Sequence, residues 1–244
     1  MQSAPATTLP KPSLHPEFVK NMVRTFNDSN EHGVHLLFNE WWADAPDRTI
    51  ERYRANFCAL PGAQAFLAER HFAEQHTIDG LGAFPTGSVG RGYYEFLTRN
   101  GLETNIATNY KKLHDHMNVS GQLDRMPAEM KYAIIRGFQV HDILHVITGY
   151  TSAGLDELAL QAFCLAQLQF PYFGMWMATS TANMTFLNPD SIVPVMNAIA
   201  SGWQFGRALP NLQFERWEAM FAEPLATVRP RYGIVPEGMA AVAH

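Results

Sequence analysis

Cysteine is scarce in this sequence: Cys58 and Cys164 are the only two in 244 residues. Two isolated thiols do not form the disulfide framework of a small secreted domain, and they fit a reducing compartment. Positive charge is also sparse, because no tract of Lys and Arg occurs and the formal net charge is −5. This balance argues against a protein that binds nucleic acid through its electrostatic field.

The N-terminus lacks the charged segment and the apolar segment of a signal peptide. Residues 1–16 are instead rich in Pro, Ala, Ser and Thr, and this composition predicts a disordered tail. Residues 17–244 contain no internal repeat and no low-complexity linker. Because apolar residues make up 47% of the chain, it can build a substantial core. We therefore predict a single domain, kept in the cytoplasm.

Alternating strand patterns bounded by hairpin turns are nearly absent. Apolar residues instead recur three and four positions apart in segments whose ends carry Pro, Gly, Asn or Asp. This pattern predicts an all-α, single-domain fold. The predicted helices are Pro16–Phe26, Pro61–His71, Val89–Arg99, Pro127–Thr148, Gly154–Phe170, Ser191–Leu209 and Phe214–Arg229.

The helix predicted over Pro127–Thr148 carries two histidines on its core-facing stripe. Residues four apart on a helix diverge by only about 40°, so the imidazoles of His141 and His145 can both reach one ion. Gly149 is expected to end this helix. The stripe consists of Met130, Ile134, Phe138, His141 and His145.

Two carboxylates complete a candidate metal site with these histidines. Asp142 lies at the margin of the same cluster, and Glu157 comes from the next helix, after a loop long enough to turn back. Nitrogen and oxygen ligands of this kind suit Zn²⁺, and equally Fe²⁺, Mn²⁺ or Co²⁺. Because an unpaired carboxylate in an apolar interior is costly, a metal site at His141, Asp142, His145 and Glu157 is favoured. The alternative is a histidine pair satisfied by backbone carbonyls, with Asp142 merely orienting His145.

The stretch from Leu158 to Pro189 contains no Asp, Glu, Lys, Arg or His. A membrane-spanning helix needs about 20 mostly apolar residues, and Gln, Thr and Asn residues interrupt this stretch. It predicts two buried core helices. Two helices that wall an apolar tunnel for a lipid tail, or a true membrane span, are the alternatives.

Two further motifs are weaker candidates for a site. Arg91, in a glycine-rich segment before a helix, could present its guanidinium to an anion or could stabilise a turn. His114-Asp115-His116 could hold a second ion, but adjacent residues on a helix point about 100° apart. We expect this second motif to lie on the exposed surface.

The pattern His141-Asp142-x-x-His145, eleven residues and then Glu157 resembles the signature of the Coq4 family of ubiquinone-biosynthesis proteins. The resemblance covers roughly Glu69–Ile234. The other similar segments are Val146–Gly149, Pro85–Leu97, Trp203–Arg207 and Arg216–Glu218.

The resemblance implies an all-helical protein that holds zinc or another divalent ion at these four residues. It also implies action on a polyprenylated hydroxybenzoate, whose ring carboxylate is removed and replaced by a hydroxyl group. A homo-oligomer, a location peripheral to the membrane surface, and other quinone-biosynthesis enzymes as partners are implied as well. Arg91 and Tyr94, in the glycine-arginine segment, become candidates for substrate binding.

The chemistry of a divalent ion is compatible with that activity. A divalent ion can bind a carboxylate or phenolate and stabilise negative charge as a Lewis acid, and replacing carboxylate by hydroxyl requires an oxidant such as O₂. Two other functions stay open. One is a non-catalytic scaffold that binds a lipid or quinone intermediate and holds a structural ion; the other is a metal hydrolase.

Overall fold

The structure, a computed structural model, describes residues 13–29, 31–107, 109–121 and 123–234. Within these ranges helices dominate, strands are absent, and the buried side chains form one core, which confirms the all-α prediction. Most of the predicted tail, residues 1–12, lies outside the described residues. The helices are α1 (Pro16–Asn27), α2 (Val34–Asp44), α3 (Asp47–Cys58), α4 (Ala63–Glu69), α5 (Ile78–Gly82), α6 (Val89–Asn100), α7 (Tyr110–Val119), α8 (Ala128–Thr148), α9 (Gly154–Leu168), α10 (Pro171–Phe186), α11 (Ile192–Ala208) and α12 (Leu225–Arg231).

Helix α8 is buried along most of its length and packs against α6 and α7. It ends at Gly149, whose φ of +89° lies in the left-handed region that glycine adopts without steric cost. The Gly149 N–H donates a hydrogen bond of 2.7 Å to the carbonyl of His145. The chain therefore turns sharply, as predicted, and α9 begins five residues later with Glu157 in its first turn.

The uncharged stretch forms α9 and α10. Helix α9 lies in close contact with α11, where Gly202 and Gly206 let the two backbones approach, and α10 packs against α9, α2 and α1. In the part of the chain described by the structure, no helix is both long and apolar enough to cross a membrane.

The prediction of one helix over Phe214–Arg229 is wrong. This segment forms a 3-10 turn at Trp217–Met220 and then the short α12, which begins after Pro224. Proline has no N–H for a helical hydrogen bond, and its ring disfavours the helical conformation of the preceding residue. The apolar spacing in this segment instead reflects single side chains, such as Trp217 and Phe221, buried in the core.

Candidate metal centre

The site is built where the last turns of α8 meet the first turn of α9. His141 and His145 lie on successive turns of α8, with ring centroids 4.9 Å apart and ring planes at 79°. Glu157 reaches both rings from α9. Its two carboxylate oxygens lie 3.2 Å from His141 Nε2 and 3.0 Å from His145 Nε2.

These three side chains form a cluster with the geometry of a metal site. One ligand atom from each of His141, His145 and Glu157 lies within 4.8 Å of the other two. Among the residues that the structure describes, this is the one group of three or more His, Cys, Asp or Glu side chains with such spacing. A cation between the Nε2 atoms and the carboxylate would replace the protons that those atoms now share.

Each imidazole makes a second hydrogen bond at its Nδ1 atom. His141 Nδ1 lies 3.1 Å from Asp142 Oδ1, and His145 Nδ1 lies 3.1 Å from the carbonyl oxygen of Tyr150. Hydrogen bonds at Nδ1 fix the orientation of a ring and leave Nε2 free to bind a metal, an arrangement common in metalloproteins. Both rings therefore point their Nε2 atoms toward Glu157.

Asp142, predicted as a fourth ligand, lies outside the three-residue cluster in this structure. Its Oδ1 contacts His141 Nδ1, and its Oδ2 accepts a hydrogen bond of 3.1 Å from the side chain of Asn105. Both oxygens are thus engaged on the Nδ1 side of His141, away from Nε2. The contact with His141 also differs from the alternative in which Asp142 orients His145.

The cluster is largely shielded from solvent. The His145 side chain is 2% exposed, and those of His141 and Glu157 are 25% and 27% exposed. The ring of Phe96 stacks on His145, with a centroid distance of 4.8 Å and an interplanar angle of 18°. Helix α6 thereby covers one face of the imidazole.

Burial and the paired charges determine the protonation of the cluster in the absence of an ion. Burial lowers the pKa of His141, but hydrogen bonds to Asp142 and Glu157 outweigh it and raise that pKa to about 10. Burial raises the pKa of Glu157, but hydrogen bonds from His141 and His145 outweigh it and hold that pKa well below its usual range. Glu157 is therefore ionised and ready to bind a cation.

A cavity of about 150 Å³ opens beside the cluster. His141 and Glu157 form part of its wall, so an ion bound between them would be reachable from the cavity. Phe138, predicted on the core-facing stripe, is 37% exposed because it lies at this cavity. The other lining residues are Ile134, Gly137, Leu144, Gln161, Cys164, Tyr172, Phe173, Trp176 and Gln213.

Arg91 and Tyr94 do not line this cavity. Arg91 donates hydrogen bonds to the carbonyl of Gly82 at 2.7 Å and to Glu95 at 3.0 Å. Its guanidinium carbon lies 4.8 Å from the centre of the Tyr94 ring. Arg91 is thus engaged in contacts within the protein, and substrate binding by this pair stays a prediction.

The second candidate motif lies on α7, where Asp115 and His116 are exposed and His114 is half-buried, as expected for a surface helix. Sequence reasoning missed Gln161, Asn105 and Phe96, which contact the cluster or its supporting residues. For Gln161 a signal existed, because it follows Glu157 by four residues and must share its helical face. For the other two no local signal existed, since they come from segments far away in the chain.

Comparisons with known proteins agree on the family. The family model for the coenzyme Q (ubiquinone) biosynthesis protein Coq4 matches residues 43–237. Among the relatives, the ubiquinone biosynthesis protein COQ4 homologue of Rattus norvegicus is 29% identical over 77% of this chain and 66% of its own length. The homologue of Homo sapiens is 28% identical over 79% of this chain and 68% of its own length. The protein of Botryotinia fuckeliana is 29% identical over 59% of this chain and 51% of its own length.

The matches leave part of each relative uncovered, since the chain spans about half to two thirds of their length. These relatives are named as mitochondrial proteins, in contrast to the cytoplasmic location predicted from the sequence. A crystal structure of a protein from Nostoc punctiforme, assigned to ubiquinone biosynthesis, has the same fold. It superposes with a TM-score of 0.68 over 91% of this chain and 99% of its own, at 20% sequence identity. The family model alone spans most of the sequence, and we conclude that the chain belongs to the Coq4 family.

Proposed function

We propose that this protein is a metal-dependent enzyme of quinone biosynthesis that removes the C1 carboxylate of a polyprenylated hydroxybenzoate and leaves a hydroxyl group there. The convergence of His141 Nε2, His145 Nε2 and the Glu157 carboxylate at the wall of an apolar cavity carries the proposal. Family membership supports the pathway, and the cavity supports a small-molecule substrate.

The ligand set fits a catalytic ion better than a structural one. Structural zinc sites are closed by four protein ligands, whereas catalytic sites use three and leave a position for water or substrate. In this chain three side chains converge and the cavity meets them. The favoured ion is Zn²⁺, and Fe²⁺, Mn²⁺ or Co²⁺ also suit two imidazoles and a carboxylate. Asp142 would then act on the ion through His141.

The chain's own residues supply the environment for the reaction. A divalent ion bound here would act as a Lewis acid for the substrate carboxylate or phenolate. Asp142 and the carbonyl of Tyr150 fix the orientation of the two imidazoles, and the ring of Phe96 stacks on that of His145. Loss of CO₂ with gain of a hydroxyl group is a two-electron oxidation of the ring. The oxidant proposed is O₂, which takes up the two electrons and two protons and leaves as H₂O₂, while water supplies the hydroxyl oxygen.

A substrate with a polyprenyl tail partitions into membranes, so we also propose that the protein works at a membrane surface. Such a location is compatible with either the cytoplasm or the mitochondrial compartment named for the relatives. Other quinone-biosynthesis enzymes and further copies of the chain are the proposed partners.

Metal analysis and turnover together test this function. Protein purified without chelator should contain about one equivalent of divalent metal, and Glu157→Gln should lose both the metal and product formation. Glu51→Gln, which alters an exposed carboxylate on α3, is the matched control. A Glu157→Gln protein that still forms product at the wild-type rate rules out the catalytic ion. If the metal-loaded wild type forms no product and Glu157→Gln only loses thermal stability, the non-catalytic scaffold with a structural ion is favoured.

A further inference from the structure

The cavity beside the cluster is the size of one aromatic ring. Its volume is about 150 Å³, and an apolar cavity of roughly that volume is enough to bind benzene in another protein. A polyprenyl tail of several isoprene units is larger than this space. A ligand would therefore place its ring in the cavity and leave its tail outside.

Polar groups are concentrated at one end of the cavity wall. Ile134, Leu144 and Phe173 provide buried apolar surface, while His141, Glu157 and Gln161 stand together at the polar end. Of the other polar side chains in the wall, Gln213 and Cys164 already pair with each other at 3.0 Å, whereas Trp176 Nε1 is a buried donor without a hydrogen-bond partner. A matching ligand is consequently an apolar ring with polar substituents on one edge.

Gln161 has a hydrogen-bonding group that the protein does not satisfy. Its Nε2 donates to Glu157 Oε1 at 2.5 Å, whereas its Oε1 is buried and has no hydrogen-bond partner. The amide cannot be turned over, because its oxygen would then face the Glu157 carboxylate, which has no proton to give. The residue is only 3% exposed, and a buried carbonyl oxygen without a partner is costly.

We propose that the cavity binds an aromatic ring bearing a hydroxyl group, and that Gln161 Oε1 accepts the hydrogen bond of that hydroxyl. This inference rests on the proposed function, because the ion site would hold the acid group of the same ligand. It adds a residue that selects for the hydroxyl substituent. Gln161 is thus a specificity-determining residue that also positions Glu157.

Two probes of similar shape test the acceptor. The full chain, treated with chelator, is titrated with 4-fluorophenol and with 4-fluorotoluene, and binding is followed by ¹⁹F NMR. A wholly apolar cavity discriminates against the phenol, because its hydroxyl would lose water and gain no partner. With Gln161 as acceptor, the wild-type protein should bind the phenol at least as tightly as the toluene.

Gln161→Met keeps the side-chain length and removes the acceptor. This substitution should weaken the binding of 4-fluorophenol about tenfold and leave the affinity for 4-fluorotoluene unchanged. Gln213→Met, the same change elsewhere in the cavity wall, should keep the wild-type preference. If Gln161→Met keeps that preference, or if Gln213→Met alone loses it, Gln161 is not the acceptor. Should Gln161→Met fail to fold, weaker binding of the phenol than of the toluene by the wild type still overturns the inference.

Separate readouts keep this test apart from the proposed function. The ring probes are applied without metal, whereas metal content is measured on untreated protein. A protein that prefers the phenol but binds no divalent ion would support the ring site and overturn the proposed catalytic ion. A protein that binds one ion but discriminates against the phenol would overturn the ring site alone.

Discussion

Gly202 of α11 packs directly on the backbone of Ala159 in α9: a Cβ atom on Gly202 would lie 1.9 Å from the Ala159 carbonyl oxygen. Four residues later, a Cβ on Gly206 would lie 2.6 Å from the carbonyl oxygen of Phe163. The two helices are therefore in contact through their backbones over a full turn. No side chain, however small, fits at the first position without separating them.

Replacing Gly202 by alanine should destabilise the protein, because the added methyl group meets backbone atoms that cannot move aside. Overpacking of this kind costs about 1–3 kcal/mol or more. Gly174→Ala in α10 is the matched control, since its Cβ would meet nothing within 4 Å. There the higher helix propensity of alanine should stabilise by up to about 1 kcal/mol. Urea unfolding of both variants measures the difference, and equal stabilities would contradict the backbone contact.

Asp142→Asn should weaken metal binding about 10–100-fold, the usual effect of losing a carboxylate that orients a histidine ligand. The fold should survive, because the amide can still accept a hydrogen bond at His141 Nδ1. Competition with a chromogenic chelator measures the affinity, and Asp79→Asn on the exposed face of α5 serves as the control. A loss as large as that in Glu157→Gln would instead make Asp142 a direct ligand, as the sequence pattern predicts. Unchanged affinity would contradict both roles.

In the metal-free protein, stability should fall as the pH rises from neutral toward 10. Burial opposes the charge on His141, but its hydrogen bonds to Asp142 and Glu157 raise its pKa from 6.5 to about 10. A group whose pKa is raised by folding contributes stability that is full below its unfolded pKa and lost through its folded pKa. Urea unfolding of chelator-treated protein at several pH values checks this. His141→Gln should lose most of the slope between pH 7 and about 9, below the range in which the buried Cys164 thiol, whose pKa is raised by burial, adds its own pH dependence. His116→Gln on the surface should keep the wild-type slope.

The buried ion pair of Arg136 and Glu218 joins α8 to the C-terminal segment. The Arg136 side chain is 2% exposed, and its guanidinium contacts both carboxylate oxygens of Glu218, at 2.5 and 2.8 Å. Glu218→Gln leaves a buried cation without its partner, which should cost about 3–5 kcal/mol. Arg136→Met combined with Glu218→Gln should recover part of that loss. If Glu218→Gln unfolds at the wild-type urea concentration, the pair contributes nothing.

The three converging side chains could be predicted from the sequence because their geometry is local. His141 and His145 are fixed by the period of one helix, and Glu157 follows a loop that Gly149 forces to turn back. The position of Asp142 could not be predicted in the same way. Its side chain turns toward His141 Nδ1 and Asn105, and Asn105 is 37 residues away in the chain.

Tertiary contacts explain the remaining differences. Helix α2 has buried residues at helical spacing, Leu37, Phe38, Trp41 and Trp42, yet it is not among the helices predicted from the sequence. The segment after Phe214 shows the reverse. Its apolar spacing predicted one long helix, but its buried side chains belong to two short helical segments, one on each side of Pro224. Neither the cavity nor the exposure of Phe138 follows from one helix, because α10 supplies the opposite wall.

Helix α10 gives the cavity Tyr172, Phe173 and Trp176 but gives the ion cluster nothing. The side chains proposed to hold a cation and those proposed to enclose the ring thus belong in part to different stretches of sequence. Substitutions confined to Tyr172–Trp176 can consequently reshape the cavity and leave the three side chains of the cluster unchanged. The proposed preference for one ring could thus change through α10 alone, without any change in the residues proposed to hold the ion.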